Sequence, residues 1–155
     1  MGQNRKILLG IIIVAIVGAA SVAGLYLFSL GKTETVSLPA GCVKPSNGFL
    51  VIASDDATYG TGYNNSKGHG APNNPWPLIT VTQGTNVTIT VCNIDVQAHS
   101  FNIIYYLPGA ANTIAPGQVQ TFSFMANVTG SFVIFCEVPC SIHPFMEDGL
   151  LEVTA

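Results

Sequence analysis

The sequence predicts an all-β domain, a Greek-key β-sandwich or small barrel, preceded by one N-terminal transmembrane helix. Three observations carry this. A single uncharged apolar run fills positions 7–30. Beyond it, no stretch keeps a helical period long enough for a core helix. The remainder breaks into short apolar runs divided by turns, in a chain of 155 residues with 16 Gly and 9 Pro. Composition narrows the function. Hydrophobic residues make up 48% and charged residues 8%, against the usual ~25%. A mean hydropathy of +0.47 excludes a disordered chain. A net charge of −3 with no basic stripe excludes a nucleic-acid binder. The chain has no P-loop, dinucleotide fingerprint or internal repeat.

The apolar run at 7–30 would be about 36 Å long as a helix, enough to cross a bilayer. Arg5 and Lys6 precede it; Lys32 follows and Glu34 offsets it. The positive-inside rule then leaves residues 1–6 in the cytoplasm. Everything after the run lies on the extracellular or periplasmic side of the cell membrane. A cleaved signal peptide is the rival reading, but Ser29-Leu30-Gly31 is a poor small-x-small cleavage site. Positions 31–47 read as a linker, broken by Gly31, Pro39, Gly41 and Pro45. Within it, Leu38-Pro39-Ala40-Gly41-Cys42 faintly resembles a lipidation site. The exported part holds three lysines against eight carboxylates, a net charge of −5. Asn64-Asn65-Ser66, Asn86-Val87-Thr88 and Asn127-Val128-Thr129 fit the N-glycosylation pattern, each weak alone in a chain rich in Thr and Asn.

Positions 48–155 form the β domain. Phe49 to Ala53 is the first strand, and 54–77 reads as a long polar loop containing Tyr59, Tyr63, His69 and Trp76. Leu78 to Val81 is the next strand. Asn86 to Cys92 alternates, with Val87, Ile89 and Val91 on one face and Thr88, Thr90 and Cys92 on the other. Phe101 to Tyr105 reads as a strand and Pro108 to Pro116 as a loop. Val119 to Met125, Phe132 to Phe135 and Leu150 to Val153 complete the set.

The chemistry concentrates in Cys136-Glu137-Val138-Pro139-Cys140-Ser141-Ile142-His143-Pro144-Phe145-Met146. Two thiolates, an imidazole and a thioether lie within this loop, and His99 lies upstream between two expected strands. Thiolate, thioether and imidazole together favour a soft or borderline metal, with copper the natural candidate. A structural zinc site gains little from a neutral thioether. Each residue also has a plainer reading. Cys136 and Cys140 could pair as a disulfide, Met146 could fill the core, and His99 and His143 could be ordinary loop residues. Cys42 and Cys92 form a candidate disulfide that would pin the linker to the sheet. His69 reads as a solvated loop residue.

These residues resemble the copper-A domain of subunit II of haem-copper oxidases (cytochrome c oxidase), a member of the cupredoxin superfamily. The resemblance covers almost the whole chain: one span, a linker, then a cupredoxin domain. The family pattern is Cys, three residues, Cys, three residues, His, two residues, Met. Cys136 and Cys140 match it, and His143 and Met146 keep their mutual spacing. The upstream family histidine matches His99. Ile79 to Gly84, Ile114-Ala115-Pro116-Gly117, Phe122, Phe124 and Gly130-Ser131-Phe132 match the family's run-up. One departure is specific: two residues, not three, separate Cys140 from His143. Cys140 to Met146 resembles the ligand loop of amicyanin, a mononuclear blue copper protein.

The resemblance implies two coppers bridged by Cys136 and Cys140. His99 and His143 would each cap one, with Met146 and the carbonyl of Val138 as weak ligands. It implies electron transfer from a cytochrome c or small copper protein to haem in subunit I, with no catalysis by this chain alone. Pro144, Phe145 and Met146 would form an apolar docking patch, bordered by Glu147 and Asp148. Trp76 or Tyr59 would offer an electron path. The alternative is a membrane-anchored mononuclear blue copper carrier. A copper chaperone and a metal-free surface sandwich are further readings.

Overall fold

The computed structural model describes residues 36–155. The expected tail at 1–6, the transmembrane run at 7–30 and linker positions 31–35 lie outside the described residues. Among the described residues, no helix is long and apolar enough to cross a membrane.

The strands are β1 (Phe49–Asp56), β2 (Gly60–Tyr63), β3 (Leu78–Thr82), β4 (Asn86–Asn93), β5 (His99–Ser100), β6 (Asn102–Ile103), β7 (Thr113–Ile114), β8 (Val119–Met125), β9 (Gly130–Phe135) and β10 (Gly149–Thr154). One sheet runs β2-β1-β4-β8 and the other β3-β10-β9-β6, while β5 and β7 form a small third sheet. The period-2 pattern of β4 explains the first sheet, because Val87, Ile89 and Val91 are all buried. Val51 of the parallel strand β1 lies opposite Val91, and Phe122 of the antiparallel strand β8 opposite Ile89. In the other sheet, Leu151 of β10 lies between Ile79 of β3 and Phe132 of β9. Phe101 joins the layers, stacked on Phe122 and edge-on to Tyr63. Burial of each such side chain contributes about 1.5–3 kcal/mol.

The linker is tied down. Cys42 and Cys92 form a disulfide with Cα atoms 5.7 Å apart. The sulfur of Cys42 is therefore committed, which overturns its reading as a lipidation site. Gly48 approaches the Thr88 carbonyl so closely that no side chain would fit. Cys92, on the outer face of β4, is buried for the same reason that the linker is pinned there.

Three stretches differ from the sequence expectation. The long loop at 54–77 is shorter, because β1 continues to Asp56 and turns back through β2, with Ser54 opposite Gly62. This hairpin is built from polar side chains: Thr61 Oγ1 donates to Asp55 at 2.8 Å, and Asp56 accepts from the Thr58 N–H. It therefore carried no apolar signal. The expected strand from Phe101 to Tyr105 is broken. Ile103 and Leu107 exchange backbone hydrogen bonds of 3.1 and 2.9 Å around a tight turn, with Tyr105 at φ 75°. The expected loop from Pro108 to Pro116 contains β7, whose Ile114 pairs with His99 of β5.

The register defines two ends. Cys92 pairs with Val119 at one end of β4, near where the chain reaches His99. Asn86 pairs with Met125 at the other.

Candidate metal centre

His99 is held by β5 and is almost fully buried. Its Nε2 lies 2.7 Å from Asp95 Oδ2, four residues back. Asp95 is itself fixed: its N–H donates to Asn93 Oδ1 at 3.0 Å, and its Oδ1 accepts from the Val96 N–H at 2.6 Å. The other ring nitrogen, Nδ1, is buried without a hydrogen-bond partner, alone in this among the described side chains. An unsatisfied buried group costs about 1–3 kcal/mol, so it calls for a ligand. One is within reach of the thiols: ligand atoms of His99, Cys136 and Cys140 all lie within 4.8 Å of one another.

Cys136 leaves β9 and opens the ligand loop. Its backbone N–H donates to the Met146 carbonyl at 2.8 Å, which closes the base of the loop. Its Sγ accepts from the Ser100 N–H at 3.4 Å, and the Val138 carbonyl oxygen also lies 3.4 Å from it. Cys140 is half-buried, with Sγ 4.0 Å from His143 Nδ1. His143 begins a single 3-10 turn, His143–Phe145, where Pro144 fixes φ near the helix start. His143 Nε2 lies 2.8 Å from Glu147 Oε1, again four residues away. Both imidazoles thus turn Nε2 to a carboxylate and leave Nδ1 on the thiol side. Such outer partners set tautomer and ring orientation at metal sites. Met146 is fully buried in the core.

The charges are unequal. Burial resists ionisation of Cys136, but His99, the Ser100 N–H and the neighbouring Val138 group outweigh it and lower its pKa to about 6. Burial, then the charge on Cys136, push Cys140 up to about 12. Burial disfavours a charged His99, yet Cys136 and Asp95 prevail and raise its pKa. Burial, and then Cys136, hold the Tyr63 hydroxyl well above its ordinary range.

The structure therefore brings together His99, Cys136 and Cys140, with the Val138 carbonyl and His143 at their edge. Cys136 and Cys140 are free thiols, which overturns the disulfide reading of that pair. The expected docking patch is smaller than proposed. Pro144 is exposed and Phe145 half-buried, but Met146 has no surface, because its side chain packs in the hydrophobic core. His69 is exposed and stacks on Trp76 at 3.8 Å; Trp76 donates its indole N–H to the Asn64 carbonyl. Trp76 thus makes its contacts inside the long loop, and Tyr59 sits half-exposed before β2.

Several supporting residues escaped the sequence reading. Ser100 accepts from the Glu137 N–H at 2.7 Å and from Asn102 Nδ2 at 2.9 Å, and its carbonyl accepts from the buried Tyr63 hydroxyl. Gln97 clasps Ser141, its Oε1 accepting the Ser141 N–H at 3.1 Å. Ser66 Oγ donates to the Phe145 carbonyl, and Lys67 Nζ sits 5.2 Å from the Phe145 ring centre. The carboxylates four residues from His99 and from His143 were the one signal available.

No family model matches the chain, and no curated protein matches it. Solved structures do. Reduced auracyanin from the photosynthetic bacterium Roseiflexus castenholzii is similar at TM-score 0.52 and 18% identity, over 72% of this chain and 100% of that one. The blue copper oxidase from Nitrosomonas europaea is similar at TM-score 0.52 and 24% identity, over 69% of this chain and 38% of that one. The chain spans 31% of a multicopper oxidase and 30% of a copper nitrite reductase that it also overlaps. The fold of residues 36–155 is accordingly the all-β sandwich of the cupredoxin-fold copper proteins.

Proposed function

We propose that the chain is a copper electron-transfer protein whose centre is built by His99, Cys136, Cys140, His143, Met146 and the carbonyl of Val138. One observation carries this: a buried imidazole nitrogen without a partner, among two free thiols, in a fold shared with copper proteins. The donor set fits a soft metal and leaves no role for a hard one. Copper held by Cys136 and Cys140 would supply a one-electron couple, and two ions would share it between them. The second thiol supports that count, because His143 Nδ1 addresses Cys140 and not Cys136.

The chain's own residues prepare the site. The loop is braced by Ser100, Gln97 and Ser66, so its side chains need little rearrangement when charge changes. Pro139 and Pro144 bring no N–H near the sulfurs, and the Ser100 N–H to Cys136 tunes them, as hydrogen bonds to sulfur set potential. With the apolar run at 7–30 as an anchor, the domain would serve as subunit II of a haem-copper oxidase at the cell membrane. A cytochrome c or small copper protein would be the donor and subunit I the acceptor. The Cys42–Cys92 disulfide supports an exported domain, since such bonds persist in oxidising compartments.

A mononuclear blue copper carrier is the second reading, favoured by the two-residue spacing between Cys140 and His143. Low-temperature EPR of the copper-loaded chain, with the metal-to-protein ratio, decides between them. A seven-line hyperfine pattern at two coppers per chain is the expected result. Four lines at one copper per chain would move the assignment to the carrier.

A further inference from the structure

Two of the three sequons sit at the end of the sandwich away from the metal centre. Asn86 opens β4 opposite Met125, and Asn127 follows β8; both are exposed. From Asn86 to Asn93, β4 rises about 24 Å, and His99 lies beyond its far end. Asn64 differs. Its Nδ2 donates to the Leu50 carbonyl at 3.0 Å and its Oδ1 accepts from the Ile52 N–H at 2.8 Å, with φ at 48°. Its amide is spent on the first sheet.

The surface beside Asn127 is apolar in a way the copper reading does not use. Ile104, Tyr105 and Val128 are exposed by 51%, 57% and 39%. The Tyr106 ring lies 4.8 Å from both Phe124 and Phe132. Its hydroxyl accepts from the Val128 N–H at 3.0 Å and donates to the Val128 carbonyl at 2.8 Å. The middle residue of the sequon is thus bolted to an aromatic shelf. Contiguous exposed apolar surface marks a place that something covers.

We propose that Asn127 and Asn86 carry N-linked glycans, and that the glycan on Asn127 covers this shelf. The donor is an oligosaccharide linked through its C1 to a lipid diphosphate, used by a transferase on the exported side. Asn Nδ2 attacks C1, the C1–O bond to the diphosphate breaks, and a C1–N bond forms. The amide loses one proton to a base and the lipid diphosphate departs with the electron pair. No oxidation state changes. The apolar C–H face of the first sugar fits against tyrosine rings, whose faces are electron-rich. Glycans also supply the hydration that a chain with 8% charged residues lacks.

This inference rests on the exported placement and not on the copper centre. The test is chymotryptic peptide mass spectrometry of the full chain purified from the membranes of its native cells. Cleavage after Tyr63, Leu78, Phe101, Phe124 and Phe132 puts Asn64, Asn86 and Asn127 on different peptides. Glycan mass is expected on the Asn86 and Asn127 peptides and none on the Asn64 peptide. Asn86→Gln and Asn127→Gln should each remove one glycan from the intact mass, and Asn64→Gln should remove none. Asn127→Gln should also raise binding of an apolar dye. A bare Asn127 peptide, or a glycan on Asn64, overturns the proposal. The same digest reports the Cys42–Cys92 linkage. A bare Asn127 with that disulfide formed defeats the glycan alone, whereas a bare Asn127 with both thiols reduced defeats the exported placement as well.

Discussion

Asp95→Asn tests how the centre is set. The carboxylate uses both oxygens: Oδ2 takes the His99 Nε2–H at 2.7 Å, and Oδ1 takes the Val96 N–H at 2.6 Å. An asparagine has one acceptor and one donor on the same frame. If its oxygen stays on Val96, its amide nitrogen faces Nε2 and forces the ring proton onto Nδ1, the atom proposed above to face the metal. If the amide flips, the Val96 N–H faces an N–H₂ group. Either arrangement sacrifices one charge-assisted bond, worth about 1.5–3 kcal/mol. At about 1.4 kcal/mol per decade, copper affinity should fall roughly 10- to 100-fold. The assay is competition of copper-loaded wild type and variant against a chelator of known affinity. Circular dichroism of both proteins checks that the sandwich survives. Unchanged affinity in a folded variant would refute the claim that Asp95 holds His99 ready through its tautomer.

Four further outcomes follow from the same structure. Replacing Cys42 and Cys92 by alanine releases a cross-link across 50 positions, which loop-closure entropy puts at about 4 kcal/mol, or a fall in Tm of about 15 °C by calorimetry. In the metal-free protein, thiolate absorbance should rise by one group as pH passes about 6, while Cys140 stays protonated until about 12. Because the Cys136 pKa is depressed on folding, its contribution to stability is full above the unfolded value of 9.0 and lost as pH falls through about 6. Urea midpoints of the wild type relative to Cys136→Ala across that window should therefore climb with pH. Gly62→Ala would push a methyl into Ser66 Oγ and the Phe145 carbonyl at a φ of 92°, and should cost about 1–3 kcal/mol in denaturant titration.

The parts of the molecule that were legible in the sequence are those whose signal is local. The alternation from Val87 to Val91 marks β4 because its inward residues share one core face. The dense loop from Cys136 to Met146, and His99 upstream, announce themselves by residue type. What was hidden depends on distant partners. The β1–β2 hairpin is polar, so only the packing of Tyr63 against Phe101 reveals that a core residue hides in it. Phe101 to Tyr105 looks like one strand, but the bond between Ile103 and Leu107 turns the chain. Ser100 and Gln97 carry no pattern at all; their work lies in bonds to residues some forty positions away.

The hydrogen bond from the Cys136 N–H to the Met146 carbonyl has an evolutionary consequence. It makes the ligand segment a cassette whose two ends are fixed to each other and to the sheet, independent of how many residues lie between them. Insertions and deletions inside such a cassette leave its insertion points, and the whole sandwich below, unchanged. Natural variation can therefore alter the count between Cys140 and His143 without rebuilding the fold. What the segment can bind becomes a property of the cassette, while folding remains a property of the frame that carries it.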